Sequence, residues 1–233
     1  MPTDCRAGGQ PGEGMRPSES ALQVGGFVPF TTVDYPGHLA AVVFCQGCVW
    51  RCRYCHNPHL QPFDGACWSW ENILSLLAER RNFLEAVVFS GGEPTAQASL
   101  PAALRAVKDL GFRIGLHTAG MHPERLVGVL PLVDWVGFDI KAPFDQRHDR
   151  ITGREASFEA PAESLRLLLG SGVNYELRTT VHPDLLSDSD LGEIAATLES
   201  LHATPATIQP FRAEGCTDGT LIEKSAFRAA RLR

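Results

Sequence analysis

The sequence predicts an α/β fold in which a parallel sheet is covered by helices, and three observations carry that expectation. Short, nearly continuous apolar runs recur at 40–44, 86–89, 113–116, 135–140, 175–181 and 207–209, as in strands buried on both faces. Between them apolar residues return at helical spacing: Trp70, Ile73, Leu74 and Leu77, then Leu100, Ala103, Leu104 and Val107, then Leu191, Ile194, Ala195 and Leu198. Polar loops separate each run from the next helix, and parallel neighbours need such crossovers. An open doubly wound sheet and a curved barrel both satisfy this pattern. Both place their chemistry in the loops after the carboxyl ends of the strands.

Taken in order, residues 1–20 are Gly, Pro, Ser and charged residues without periodicity, and too little apolar surface is present there to order a chain. They are expected to form a disordered tail in which Cys5 has no role. Residues 21–233 are expected to form one core domain, since 233 residues suit a single barrel-sized unit. The stretch 22–37 is β-like and runs through Thr31, Thr32 and Val33 into a turn at Asp34-Tyr35-Pro36-Gly37. Gly111 after the second helix, Pro123 and Pro161 in first helical turns and Ser187 as a cap agree with the helical pattern.

The formal net charge of -6 and the lack of a dense Lys/Arg run exclude a nucleic-acid backbone as the main partner. No signal-peptide pattern and no apolar run of membrane-spanning length occurs, so a cytoplasmic protein is expected. Seven cysteines, four of them between Cys45 and Cys55, do not resemble a secreted disulfide framework. In a reducing compartment such a cluster reads as metal binding.

The stretch 44–58, FCQGCVWRCRYCHNP, carries Cys48, Cys52 and Cys55 in a C-x3-C-x2-C spacing. Three thiolates on one tight loop can hold three corners of an iron-sulfur cluster and leave the fourth iron open. A zinc site is the competing reading, with Cys45 and His56 completing the ligands. Cys67, near a helix start, and Cys216, in a late loop, read as inert thiols.

SGGEPT at 90–95 follows the second apolar run. Its paired glycines let backbone approach a ligand, and Glu93 favours a cation such as an amine. Asp139 and Lys141 alternate about Ile140 and can face one side, although a surface ion pair would look the same. Arg178, in RTTVHP at the end of a buried-looking strand, has the character of an anion ligand. Gln209, Phe211 and Arg212 close the series. His117, His122 and His182 read as loop or cap residues, with His117 at a strand end the one to test.

With these motifs in hand, the sequence resembles the radical S-adenosylmethionine (SAM) superfamily, and within it the activating enzymes of glycyl radical proteins. C-x3-C-x2-C with Tyr54 before the last cysteine, CHNP after it, then GGEPT, DIKAPF and RTTVHP fall in the family's order over about residues 22–215. The segment VDYPGHLAAVVFCQGCVWRCRYCHNP is similar to the group that activates anaerobic ribonucleoside-triphosphate reductase. The resemblance implies a partial (βα)6 TIM-like barrel, open on one side. It implies that Cys48, Cys52 and Cys55 hold a 4Fe-4S cluster whose open iron takes the amino and carboxylate groups of SAM. Gly91, Gly92 and Glu93 would contact that amino group, and Tyr54 would lie near the adenine. Asp139, Lys141 and Arg178 match positions that bind the methionine carboxylate, the ribose or a nearby monovalent cation, and Thr118 and Arg212 are candidate cofactor contacts beside them.

Two departures stand out: His117 occupies a position where formate-lyase activators have Asp, and Arg212 one where they have His. No further cysteine block exists for auxiliary clusters, and the short stretch after Arg212 would leave the last barrel helix incomplete. The implied reaction is reductive cleavage of SAM to methionine and a 5′-deoxyadenosyl radical, which abstracts hydrogen from a glycine Cα of a partner enzyme. Flavodoxin or ferredoxin would supply the electron, and oxygen would destroy the cluster. Two other readings are a radical SAM enzyme acting on a small molecule, such as a deazapurine precursor, and a zinc-stabilised binding module.

Overall fold

The computed structural model describes residues 21–224; the expected tail at 1–20, with Cys5, lies outside them. Seven strands form one sheet in the order β1-β2-β3-β4-β5-β6-β7. They are β1 (Val24–Thr31), β2 (Ala40–Cys45), β3 (Ala86–Gly91), β4 (Arg113–Thr118), β5 (Trp135–Asp139), β6 (Asn174–Val181) and β7 (Thr207–Pro210). From β2 to β7 every pairing is parallel and joins strands consecutive in the chain. A doubly wound sheet would reverse its order at a switch point. The sequential order is the winding of a barrel, left open between the edge strands β1 and β7. The β-like stretch at 22–37 supplies a strand beyond the six expected: β1 pairs antiparallel with β2 and slips register at Val24/Gly26 and Val28/Thr31.

The side-chain period of two divides the strands between a shell and an interior. Ala41, Val43, Val87, Phe89, Ile114, Leu116, Val136 and Phe138 join the main core with helix residues Ile73, Leu77, Leu104, Val107 and Leu165. Each of these Val, Leu, Ile and Phe side chains contributes about 1.5–3 kcal/mol when fully buried. The alternate residues point inward. At one end of the barrel Ala40, Val42, Ala86, Val88 and Trp135 close around Tyr35, whose ring centroid is 5.3 Å from that of Trp135. Gly115 makes room for this ring, because a Cβ there would lie 2.9 Å from Tyr35 Cδ2. The turn at 34–37 is therefore a plug, and the inward residues beyond it form a cavity.

Helices α1 (Trp70–Glu79), α2 (Leu100–Asp109), α3 (Pro123–Val129), α5 (Glu159–Ser171) and α6 (Asp188–Ser200) follow the apolar periodicity. Ser187 closes a capping box with Asp190, and Gly111 has φ +90°, the left-handed conformation that ends α2. Helix α4 (Gln146–Thr152) has no apolar period. Asp145 caps it by accepting from Arg147 N–H, and left-handed Gly153 terminates it. Among the described residues no helix is long and apolar enough to cross a membrane.

Candidate active site

The cysteine loop leaves β2 at Cys45 and is held largely by backbone. Gly47 N–H donates to Leu60 O at 2.8 Å and Cys48 N–H to Gln61 O at 2.9 Å. Arg51 N–H donates to Thr152 O at 2.8 Å and Arg53 N–H to Ile151 O at 3.1 Å, docking the loop on the end of α4. The loop after β3 clasps it from the other side: Gly92 N–H donates to Cys45 O and Glu93 N–H to Gly47 O, both at 2.9 Å. The paired glycines, read from sequence as room for a ligand, are required first by this clasp. A Cβ on Gly92 would lie 2.3 Å from Gly47 O, and one on Gly91, at φ +115°, would lie 2.5 Å from Cys45 N.

Cys48, Cys52 and Cys55 all line one cavity of about 590 Å³, within the range of about 300–1,000 Å³ usual for small-molecule sites. Burial pushes the Cys48 thiol up to about 12 and the Cys52 thiol up to about 11. Cys45 is fully buried in the outer core, while His56 Nε2 is 3.0 Å from Arg212 O. The four-ligand zinc reading thus loses Cys45 to the core. Zinc also needs every sulfur about 2.3 Å from one point, and among the described residues no three His, Cys, Asp or Glu side chains gather in that way. A cluster makes a different demand, because each thiolate meets its own iron. Three thiols lining one cavity fit that demand. Cys67 lies away from the cavity lining, with its Sγ 3.6 Å from Gly25 O.

The remaining site residues come from the ends of β3, β4, β5 and β6 and from the mouth. Tyr54, Gly91, Gly92, Glu93, Thr118, Asp139, Lys141, Arg178 and Arg212 all line the same cavity. Glu93 is 1% exposed. Its Oε1 accepts from Thr95 N–H at 3.1 Å, Thr95 Oγ1 at 2.7 Å and Thr118 Oγ1 at 2.7 Å, and Oε2 accepts from Ala119 N–H at 3.0 Å. The carboxylate stitches the GGEPT loop to the end of β4 as well as facing the cavity.

Asp139 carries the charged floor. Its Oδ1 accepts from Arg178 Nε at 2.9 Å and its Oδ2 from Lys141 Nζ at 3.1 Å. Burial pushes the Asp139 carboxyl up, but Arg178 and Lys141 outweigh it and hold the group well below the usual carboxylate range. Burial lowers Lys141, yet Asp139 raises it more, so the ammonium is firmly charged. A monovalent cation at Asp139 would meet two fixed cations already on its oxygens.

Lys141 Nζ also lies 5.6 Å from the centroid of the Tyr54 ring, a cation–π distance. Tyr54 Oη is buried without a hydrogen-bond partner among the described residues. An orphaned hydroxyl in a cavity wall is the mark of a site built for a polar ligand.

His117 is more than a cap. Its Nε2 lies 3.0 Å from Asp34 O and 3.2 Å from Arg178 Nη1, and its Nδ1 lies 3.3 Å from Ser90 Oγ. Burial and then Arg178 bring its pKa down to about 3, so the ring is neutral. His122 and His182 stay outside the cavity lining, whereas Trp50, Asp34, Thr180 and Ile208 belong to it. Asp34 could have been suspected, since its turn follows a Thr-rich strand end and Thr31 Oγ1 donates to its Oδ2 at 2.5 Å. Nothing local marks Trp50, Thr180 or Ile208.

Comparison with known proteins supplies the family. The radical SAM superfamily model matches residues 42–201. A protein described as a putative glycyl-radical enzyme activating enzyme from Methanocaldococcus jannaschii is 32% identical over 76% of this chain and 75% of its own length. The pyruvate formate-lyase-activating enzyme of Clostridium pasteurianum is 32% identical over 68% of each chain. Among solved structures, QueE from Escherichia coli aligns with a TM-score of 0.55 at 18% identity over 89% of this chain and 91% of its own. Streptococcus suis SuiB bound to its precursor peptide aligns with a TM-score of 0.62 at 11% identity over 82% and 45%. These two share the fold. The chain belongs to the radical SAM superfamily and, within it, to the glycyl-radical enzyme activating enzymes, oxidoreductases whose cofactors are a 4Fe-4S cluster and SAM.

Proposed function

We propose that this enzyme generates a glycyl radical on a partner protein, and that the partner is an anaerobic ribonucleoside-triphosphate reductase. The observation that carries the reading is one cavity lined by Cys48, Cys52 and Cys55 together with Glu93, Asp139, Lys141 and Arg178. When bound, the cluster and SAM would supply reductive C5′–S cleavage and a 5′-deoxyadenosyl radical able to take hydrogen from a glycine Cα. Cys48, Cys52 and Cys55 would hold the cluster. Lys141 and Arg178 offer fixed positive charge to a carboxylate or to ribose oxygens, and Tyr54 offers a ring face and a free hydroxyl to the adenine. Gly91, Gly92, Glu93 and Thr118 would bound the amino end, with Arg212, exposed at the mouth, in reach of the ligand's outer edge. The Tyr35 plug and the buried strand ends exclude water from one side, while the opening between β1 and β7 admits a backbone segment.

Resemblance of the segment around the cysteine loop supports the reductase as partner, with a flavodoxin or ferredoxin as reductant and a cytoplasmic setting. The test is anaerobic reconstitution with iron and sulfide, reduction, and addition of SAM with and without the reductase. Formation of 5′-deoxyadenosine with a glycyl radical signal on the partner is expected. Cleavage without that signal would overturn the choice of partner, and a cluster-loaded protein that leaves SAM intact would overturn the function.

A further inference from the structure

Behind the cysteine loop lies a buried polar cluster that the proposed reaction does not use. His148 and Thr152 sit on α4 and Ser157 on the loop after it, at 1%, 0% and 6% exposure. Ser157 Oγ lies 2.6 Å from His148 Nδ1 and 2.7 Å from Thr152 Oγ1, and donates to Asp149 Oδ1 at 2.8 Å. An ionised carboxylate only accepts, so the single Ser157 proton goes to Asp149. A Ser157 lone pair then receives His148 Nδ1–H, which assigns His148 the Nδ1–H tautomer, while the one Thr152 hydroxyl proton is shared between Ser157 Oγ at 2.7 Å and His148 O at 3.1 Å. Burial first and then the Lys141 charge bring its pKa down to about 4, so it stays neutral.

Ser, His and Asp together suggest a nucleophile, but the order is wrong. In a hydrolytic site the histidine stands between the serine and the carboxylate. Here the serine stands between them and has given its proton to Asp149, and none of the three lines the cavity. The cluster holds a shape instead. Asp149 also accepts from Ala156 N–H at 3.0 Å and Ser157 N–H at 2.9 Å, tying the return loop over α4. The His148 ring, fixed from behind, meets Trp50 edge-to-face at 5.1 Å and 75°. Trp50 is 3% exposed, lines the cavity, and lies in sequence between Cys48 and Cys52.

We propose that His148, oriented by Ser157, is a positioning residue for the cysteine loop: its ring sets Trp50 against the cavity and so controls what reaches the sulfurs of Cys48 and Cys52. The proposal rests on the reading of these cysteines as cluster ligands. The same helix end receives the Arg51 and Arg53 N–H groups, so ring and backbone act on the loop at adjacent points.

The test uses reconstituted full-length protein, with three readouts: bleaching of the cluster absorbance in air, the EPR spectrum of the reduced cluster, and the melting temperature. His148→Ala and His148→Gln, which lack a ring against Trp50, are expected to bleach several-fold faster than wild type and to alter the EPR line shape. His148→Phe restores the ring without the Ser157 hydrogen bond and is expected to bleach at a rate between those of His148→Gln and wild type. If Ala and Gln variants melt lower but bleach and resonate as wild type does, His148 supports the fold alone and the proposal is overturned. Should His148→Ala take up no cluster, the other pair decides: Phe slower than Gln upholds the proposal, and equal rates overturn it. A wild-type protein that takes up no cluster would sink the cysteine reading and this proposal together, whereas a loaded wild type with variants that bleach alike sinks the proposal alone.

Discussion

The cysteine loop and the charged floor line one cavity, yet different forces hold them. The loop is fixed by backbone hydrogen bonds to residues 60–61, to the end of α4 and to the GGEPT loop. Each contributes about 1 kcal/mol net, and they are redundant. The floor depends on side chains: Asp139 alone joins Arg178 and Lys141, and Glu93 alone joins Thr95, Thr118 and Ala119. The loop should tolerate loss of a non-ligand side chain but not of a close backbone approach, while the floor should fail when one carboxylate is removed.

The largest effect is expected at the ligands. Cys52→Ala should abolish both the cluster absorbance and SAM cleavage; an unchanged spectrum would mean the wrong residues have been taken as ligands. On the floor, Asp139→Asn leaves Arg178 and Lys141 without their carboxylate. Breaking a buried pair costs about 3–5 kcal/mol. The Asp139 side chain is 30% exposed, and screening by solvent reduces the expected loss to about 1–2 kcal/mol. SAM affinity measured by titration should fall with it. On the loop, Gly92→Ala drives a methyl into Gly47 O, and overpacking of this kind costs about 1–3 kcal/mol. Lower iron content after reconstitution would follow from a displaced loop; full loading and an unchanged melting temperature would contradict the clasp.

A smaller, graded effect comes from pH. His117 and His148 are held neutral in the fold, with pKa values down to about 3 and about 4, whereas in the unfolded chain each protonates near its ordinary value of about 6.5. Below that value the unfolded state binds more protons, so stability falls with pH, by roughly 1.4 kcal/mol per unit for each histidine at most. Denaturant titration of the cluster-free protein should show a plateau above about pH 6.5 and a slope between about pH 6.5 and 4 that lessens in His117→Gln. Asp139 acts in a separate, more acid window, since its lowered pKa stabilises the fold above the ordinary carboxylate value and is lost only as pH falls through the folded one. Smallest of all, Ser187→Ala removes a cap remote from both walls and should cost about 1 kcal/mol without changing SAM cleavage.

Much of the site was legible because its residues carry chemistry in their own types. Cys48, Cys52, Cys55, Asp139, Lys141 and Arg178 are hard to explain at strand ends by packing. His117 and Glu93 were legible as presences but not as partners. The bond from Glu93 to Ala119 spans 26 residues and that from Arg178 to Asp139 spans 39, and no local pattern encodes either. Helix α4 was missed because Gln146–Thr152 offers a cap and a terminating glycine in place of an apolar stripe, and with it the support behind Trp50.

The sequence by itself determined the six parallel strands, most of the helices and three candidate thiolates on one loop, because buried runs, helical periods and cysteine spacing are properties of neighbouring residues. Only the tertiary structure decided that the strands pair in chain order around an open barrel, that Tyr35 plugs one end, and that Gly92 exists to let two loops touch. Those features depend on groups far apart in the chain meeting within van der Waals or hydrogen-bond distance, which the order of residues does not state.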